Sequence, residues 1–323
     1  MQWLPNVIAN FSGANRLLTG FGWPLIFFTF VIQKRRKGLQ SPRVIALEPE
    51  QSVEQVFMLG ASLYYIWILI EEQLTIVDSI ILAGLFVVYM WMLARLPRGK
   101  QHSEETLEGP TRALTEIKTK IGRIGAIGGL FLFGALTFVL ITDSFLVSIQ
   151  NLALIFLVGL LGSGAVFFTI QWIAPVLSEF PEKVTAFNWA RQVTLAPVAL
   201  LNFISSSVNE LTALVALIPA VFAVSSGTLG SVPLVEGHWV EIFLTMAQSL
   251  YACASLLDLK YGVENAVVLF ALWIVSTAVI ETRLIISIIF LVLALAEVVR
   301  ARGRIVAFSA FRHTLMEGVL RRS

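Results

Sequence analysis

Cysteine and charged residues are both scarce in this sequence. Cys253 is the only cysteine among 323 residues, so a disulfide framework and a multi-cysteine metal site are excluded within one chain. Charged residues make up only 14% of the chain, hydrophobic residues make up 57%, and the mean hydropathy is +0.82. A soluble domain carries about 25% charged residues. The composition therefore predicts a polytopic membrane protein.

Basic residues are absent before Arg16, and the whole chain has only three histidines. A cleaved signal peptide needs a basic first region, so none is predicted. The histidines all lie outside the predicted membrane spans, and a serine nucleophile needs a base within hydrogen-bond reach. An intramembrane hydrolase built on Gly162-Ser163-Gly164 is therefore only an alternative, and we expect a protein that is not an enzyme.

Long apolar segments dominate what is present. A membrane-spanning helix needs about 20 mostly apolar residues. Predicted spans of this kind lie near residues 7–32, 53–70, 74–94, 122–142, 145–176, 194–225, 239–257, 262–280 and 284–299. The predicted fold class is thus an all-α polytopic membrane protein with about nine transmembrane helices.

The loops between these spans differ in their content of lysine and arginine. The 33–43 and 95–123 loops are rich in both residues, whereas the 71–73 turn and the 226–238 loop contain neither. Basic loops stay in the cytoplasm, which places the N-terminus outside and the basic C-terminal tail inside. The formal net charge of +2 then reflects topology, and it gives no case for a nucleic-acid partner. The predicted partner is the lipid bilayer.

An internal repeat relates the two halves of the chain. Three motifs recur at a constant offset of 187 residues: Val53-Glu54 as Val240-Glu241, Ser62-Leu63-Tyr64 as Ser249-Leu250-Tyr251, and Glu71 as Asp258. Upstream, NFSGANRLL (10–18) corresponds to NFISSSVNELT (202–212) across a short gap. The two copies of this span end on opposite sides of the predicted membrane. Inverted-topology repeats of this kind are typical of secondary transporters, which bind substrate at the repeat interface.

The stretch IAPVLSEFPEKVTAF (173–187) combines helix breakers with oxygen ligands. Inside a membrane, Pro175 and Pro181 break a helix and free carbonyl oxygens, and Ser178, Glu179 and Glu182 supply further oxygens. Oxygen ligands suit hard cations such as Ca²⁺. The stretch therefore predicts a cation site.

A charged cytoplasmic loop is the alternative interpretation of the same stretch. In that case Lys183 and Arg191 balance Glu179 and Glu182 outside the membrane.

A polar stripe follows on the next span. Asn202, Ser206, Asn209 and Glu210 recur at helical spacing among apolar residues, so they share one helix face. A carboxylate at the centre of a span costs roughly 2.5 to 3.5 kcal/mol on insertion scales. Glu210 therefore needs a partner, a proton or a cavity, and we expect a functional site around it.

These two motifs together resemble the second alpha-repeat of the sodium/calcium exchanger (cation/calcium antiporter) superfamily. SEFPE (178–182) corresponds to its Pro-Glu motif, and NFISSS (202–207) corresponds to its second motif. Several positions of both depart from the family pattern. The resemblance implies two inverted five-helix halves and antiport of Ca²⁺ against Na⁺ or H⁺, with these cations as transported ligands and no cofactor. It implies that Glu182 and Glu210 bind the cation, flanked by Ser178 and Ser206.

The first half departs from this pattern. Asn10, Gly13 and Asn15 match a remnant of the second motif, but Leu18 replaces its acid. The first Pro-Glu motif and the first two helices have no counterpart. The expected domains are residues 1–95 (an incomplete first repeat of three helices), 96–121 (a cytoplasmic loop), 122–282 (a second repeat of five helices) and 283–323 (an additional helix and a basic cytoplasmic tail). The alternative function is a half-exchanger subunit, with a second chain or a homodimer supplying the missing helices.

Arg16 lies in a predicted span near the first-half ligands. An ungapped comparison of Asn15-Arg16-Leu17 with Asn209-Glu210-Leu211 places Arg16 opposite Glu210. Because intramembrane charges usually pair, we expect Arg16 to act as a tethered cation beside Glu210 or Glu182. The alternative is an arginine that extends to the membrane interface.

Overall fold

The computed structural model of the chain describes residues 4–39, 43–96, 109–152, 154, 155, 159 and 165–316. Two compact units are present: residues 1–97 together with 171–323, and residues 98–170. The residues of the candidate site all belong to the first unit.

The N-terminal part of the first unit is helical apart from two short strands. Its elements are α1 (Leu4–Leu17), a π-helix (Leu18–Gly22), α2 (Trp23–Arg36), β1 (Val44–Ala46), a 3-10 helix (Pro49–Gln51), α3 (Ser52–Glu71), β2 (Gln73–Leu74) and α4 (Ile76–Arg95).

The second unit begins within the predicted 96–121 loop. Its elements are α5 (Gly109–Glu116), α6 (Lys120–Leu152) and α7 (Ala165–Phe168), after which a π-helix (Thr169–Ile173) leads back to the first unit. We predicted separate spans at 122–142 and 145–176, but α6 runs without interruption across residues 142–145. The physical reason is that no proline lies between Pro110 and Pro175, so nothing in the backbone forces a break there.

The C-terminal part of the first unit repeats the order of the N-terminal helices and strands between residues 196 and 278. Its elements are α8 (Ala174–Ser178), α9 (Phe180–Arg191), α10 (Ala196–Asn209), a π-helix (Glu210–Leu214), α11 (Val215–Ser226), β3 (Val232–Pro233), α12 (Glu236–Ala254), β4 (Lys260–Gly262), α13 (Val263–Ala278), a 3-10 helix (Ile280–Thr282), α14 (Arg283–Arg300) and α15 (Ala307–His313). The basic tail after residue 316 lies outside the described residues.

Six helices of the described residues are long and apolar enough to cross a membrane. They are Asn6–Arg36, Pro49–Glu71, Ile76–Arg95, Lys120–Thr142, Ala196–Ser226 and Ile280–Arg300. Each coincides with one of the nine predicted spans, and Val263–Ala278 is a shorter apolar helix at another. The predicted all-α polytopic membrane fold is confirmed.

Two short antiparallel ribbons join the halves of the chain. β1 pairs with β4, with Ile45 opposite Tyr261, and β2 pairs with β3, with Leu74 opposite Val232. The repeat offset of 187 carries Ile45 to Val232 and Leu74 to Tyr261, so it converts one ribbon into the other. All four side chains are buried. This exchange of partners is what a twofold relation between the repeats produces.

A hydrogen bond in each half follows the same offset. The hydroxyl of Tyr64 donates to Asp78 at 2.5 Å, and that of Tyr251 donates to the Asn265 side chain at 3.4 Å. Asp78 also accepts the backbone N–H of Thr75 at 2.7 Å, which caps the start of α4. The repeat seen in the sequence is therefore also a repeat of contacts.

The π-helices mark equivalent positions in the two long helices. Each is five residues long, at Leu18–Gly22 and Glu210–Leu214, so Leu18 corresponds to Glu210. The offset in this region is 192, which corrects the ungapped comparison: Arg16 corresponds to Val208. Single-turn π-helices occur often at functional sites, and the acid of this pair begins one of them.

Candidate cation site

The segment 173–187 consists of two helices that meet at a break. α8 ends at Ser178 and α9 begins at Phe180, with Glu179 between them at φ −103° and ψ 11°. Pro175 and Pro181 lie in the first turns of α8 and α9, where a missing N–H costs no hydrogen bond. The prolines therefore lie where helices begin. The segment is a break between two helices at Glu179 and not an extended loop.

Glu182 on α9 receives two hydrogen bonds from α10. The Asn202 amide donates to Glu182 Oε1 at 2.9 Å, and the Ser206 hydroxyl donates to the same oxygen. Asn202 and Ser206 lie one helical turn apart and so face α9 together. The structure thus brings three of the predicted ligands into contact.

Glu210 lies at the start of the π-helix that follows α10. It is 6% exposed, and its Oε2 atom has no hydrogen-bond partner in the described residues. Its electrostatic neighbours are Glu179, Lys183 and Glu182. Acidic groups this close repel one another in a low-dielectric interior unless a proton or a cation lies between them. The arrangement is therefore suited to exchanging a proton for a cation.

Lys183 supplies a positive charge beside these acids. Its ammonium group forms an ion pair with Glu179 and donates to the carbonyl of Pro175 at 3.3 Å. The loop interpretation expected Lys183 to balance a nearby glutamate. Lys183 does pair with Glu179, but it lies in a helix and not in a loop. Arg191 lies 6.0 Å from the ring centroid of Phe187.

Two predicted ligands are not joined to this cluster by hydrogen bonds. The Ser178 hydroxyl donates back to the Pro175 carbonyl at 3.5 Å, and the exposed Asn209 side chain forms no hydrogen bond in the described part of the chain. Across the described ranges, no group of three or more His, Cys, Asp or Glu side chains is arranged to hold a metal ion. Cation binding here therefore requires amide, hydroxyl or carbonyl oxygens besides the acids.

Arg16 does not pair with Glu210 or Glu182, and our expectation for its partner was wrong. It is fully buried and forms an ion pair with Glu241, which also forms one with Arg283. Gln171 donates to Glu241 at 2.6 Å and accepts from Arg283 at 3.1 Å. Full burial also rules out the alternative in which Arg16 extends to the membrane interface. The physical reason is that the repeat offset in this region is 192 and not 187, so Arg16 does not occupy the position that corresponds to Glu210.

The first-repeat remnant of the second motif, Asn10, Gly13 and Asn15, contributes to packing. The Asn15 amide donates to Ser249 at 2.8 Å, and Asn10 is half-buried. A Cβ atom at Gly13 would lie 2.0 Å from the carbonyl oxygen of Gln171. Gly13 therefore allows α1 to approach the segment that carries Gln171.

One comparison with known proteins finds a relative. A crystal structure of the H⁺/Ca²⁺ exchanger CAX is similar to this chain, with a TM-score of 0.83 and 31% sequence identity over 98% of this chain and 78% of that one. This chain belongs to the cation/calcium antiporter superfamily. No protein-family model and no curated protein matches the sequence.

Membership in the antiporter superfamily confirms the resemblance that the two motifs indicated. It also confirms an integral multi-pass membrane protein with a transport role. The domain boundaries and the ligand set of this antiporter stay predictions. The Gly162-Ser163-Gly164 stretch of the hydrolase alternative lies outside the described residues.

The sequence reasoning missed several buried polar residues of this superfamily member. Glu241 and Arg283 form the ion pairs described above, and Tyr89 lies with its hydroxyl 2.6 Å from that of Ser205. Glu54 is 5% exposed, and one of its carboxylate oxygens has no partner in the described residues. The signal was available for two of them, because Glu54 and Glu241 are matched acids of the internal repeat.

Proposed function

We propose that this antiporter exchanges Ca²⁺ for H⁺ by alternating access around Glu182 and Glu210. The observation that carries the proposal is the contact of Glu182 with Asn202 and Ser206, beside the buried Glu210. The similarity to a solved H⁺/Ca²⁺ exchanger favours H⁺ over Na⁺ as the counter-ion. Ca²⁺ and H⁺ are substrates, and no resident cofactor is part of the proposal.

The chemistry of the site supports such an exchange. Ca²⁺ takes six to eight oxygen ligands from carboxylates, amides, carbonyls and water, and the site offers each of the protein types. When Ca²⁺ leaves, Glu210 and Glu179 are like charges in a poorly solvated place, which favours uptake of a proton. Proton and Ca²⁺ binding then exclude each other, as antiport requires.

The orientation belongs to the same proposal. The basic 33–43 loop favours the cytoplasmic side, as the distribution of lysine and arginine does in other membrane proteins. The N-terminus then lies outside and the C-terminus inside. A second chain or a second copy of this chain as partner is tested by the same flux measurement.

The deciding experiment measures Ca²⁺ uptake into liposomes that contain the purified protein. An outward H⁺ gradient and an outward Na⁺ gradient are imposed separately. The native chain is compared with Glu182→Gln, and Glu264→Gln is the matched control because Glu264 forms an exposed ion pair with Arg300.

We expect uptake driven by the H⁺ gradient in the native chain and in the control, and none in Glu182→Gln. If only the Na⁺ gradient drives uptake, the counter-ion is Na⁺ and not H⁺. No flux from folded native protein under either gradient would contradict transport by this chain alone and would favour a subunit that needs a partner.

A further inference from the structure

The internal repeat contains two matched buried glutamates outside the cation site. Glu54 in the first turn of α3 and Glu241 in α12 are related by the offset of 187. They are 5% and 4% exposed. A buried carboxylate in a membrane-spanning helix is costly and marks a functional position by default.

Glu241 has its charge compensated by fixed partners. Arg16 and Arg283 form ion pairs with its two carboxylate oxygens, and Gln171 donates a further hydrogen bond. Two guanidinium groups stay protonated at any physiological pH. Glu241 therefore has a fixed cationic partner at each of its carboxylate oxygens.

Glu54 lacks every one of these partners. The position that corresponds to Arg16 is Val208, and the one that corresponds to Arg283 is Leu96. Glu54 Oε2 is buried without a hydrogen-bond partner in the described residues. The first turn of a helix favours a negative charge, but no basic side chain of the described residues forms an ion pair with Glu54. This carboxyl group is free to gain and lose a proton.

Glu54 is also linked to the cation site. Tyr89 on the neighbouring helix α4 is an electrostatic neighbour of Glu54, and its hydroxyl lies 2.6 Å from that of Ser205 on α10. The next residue, Ser206, donates to Glu182. Tyr89 therefore connects Glu54 with the helix that carries the predicted ligands Asn202 and Ser206.

We propose that Glu54 carries one of the exchanged protons, alternating between carboxylate and carboxylic acid while Glu241 stays ion-paired. The proton is taken from water on one side of the membrane and returned to water on the other, so that charge and atoms balance. This inference rests on the proposed Ca²⁺/H⁺ exchange and names a group that the cation site itself does not include.

Several titratable groups lie on the elements packed against α3. Among the residues whose side chains the structure describes, they are Glu50 in the preceding 3-10 helix, Asp78, Tyr89 and Arg95 on α4, Glu210 in the π-helix after α10, His238, Glu241, Tyr251 and Cys253 on α12, and Arg312 and His313 on α15. α10 itself, Ala196–Asn209, contains none. Glu210 belongs to the cation site, so a pH effect assigned to Glu54 must be separated from it by substitution.

The test compares two reactions of the same protein in liposomes. Exchange of radioactive Ca²⁺ for unlabelled Ca²⁺ at equal pH requires ion binding and alternating access but no proton movement. Ca²⁺ uptake driven by a pH gradient requires proton coupling as well. The variants are Glu54→Gln, Glu54→Asp, Glu182→Gln and the control Glu264→Gln.

We expect Glu54→Gln to retain Ca²⁺/Ca²⁺ exchange and to lose uptake driven by the pH gradient. Glu54→Asp should recover gradient-driven uptake, and Glu182→Gln should lose both reactions. If Glu54→Gln keeps gradient-driven uptake, or loses both reactions, the inference is wrong. If the native chain performs neither reaction, the proposed function itself fails, which is a different result from either of these.

Discussion

Oxygen Oε1 of Glu182 receives both the Asn202 amide and the Ser206 hydroxyl. Hydrogen bonds to a charged group contribute about 1.5–3 kcal/mol, and here they also fix the direction of the carboxylate. We expect Ser206→Ala to weaken Ca²⁺ binding at least about tenfold, since 1.4 kcal/mol corresponds to a factor of ten. Isothermal titration with Ca²⁺ measures this, and Ser206→Thr, which keeps the hydroxyl, is the control. Equal affinity in Ser206→Ala would contradict a ligand-orienting role.

Removing Arg16 tests the buried charge cluster. Arg16→Met leaves Arg283 as the one ion-pair partner of Glu241 among the described residues, and breaking a buried ion pair costs about 3–5 kcal/mol. We expect a clearly lower unfolding temperature in detergent. Arg300→Met removes an exposed pair and should leave that temperature unchanged. Equal stability of both variants would show that Arg16 is not needed to hold α1 against α12.

Some site residues could be predicted from the sequence and others could not. Asn202 and Ser206 share a helix face because of their spacing, and the resemblance to the exchanger superfamily implied that this face meets the helix of Glu182. The partner of Arg16 depended on a gap of a few residues inside a long helix, and Arg283 lies in a helix that carries no motif. Long-range pairing of this kind is set by tertiary packing, which hydropathy does not encode.

At the scale of elements, the approach of α1 to the Gln171 segment depends on Gly13. Gly13→Ala places a Cβ atom 2.0 Å from a backbone oxygen that has no freedom to rotate away. Overpacking of this kind costs typically about 1–3 kcal/mol, so thermal unfolding should show a destabilised variant. The control is Gly60→Ala, where no atom lies within 4 Å of the added Cβ and where alanine favours the helix. Gly13→Ala as stable as Gly60→Ala would contradict the close approach.

The break between α8 and α9 places Lys183 against Glu179, and under the proposed function this pair would compete with a bound cation. We expect Lys183→Met to bind Ca²⁺ more tightly than the native chain, because Glu179 is then free to act as a ligand. Titration with Ca²⁺ at low ionic strength measures the change. An unchanged or weaker affinity would show that Lys183 positions Glu179 without competing.

Element boundaries were predictable where the sequence supplies stop signals. α11 ends at Gly227, which adopts φ +66°, and α4 begins at the Thr75 cap. The continuous helix α6 was not predicted, because polar residues at positions 143 and 144 separate two apolar runs in the sequence. Polar residues do not by themselves end a helix. The four strands are two or three residues long, which is too short for any periodic pattern.

At the scale of the whole molecule, inverted repeats place equivalent loops on opposite sides of the membrane. Lys37 follows α2 and Thr228 follows α11, and both are exposed. In a Cys253→Ser background, we expect Lys37→Cys and Thr228→Cys to react with a membrane-impermeant maleimide from opposite sides. Labelling of intact cells and of inverted vesicles distinguishes the sides. Reaction of both from the same side would contradict the inverted arrangement.

Because strands of the first half pair with strands of the second half, the two ribbons cannot form until late in synthesis. β2 leaves the ribosome about 160 residues before β3, its partner, and at roughly 5–20 residues per second that interval is about 10 to 30 s. During that time the backbone groups of β1 and β2 have no strand to bond. The first half therefore waits, already in contact with lipid, for the half that completes it, and any stall in translation after α4 lengthens the period in which another chain's strand can take that place.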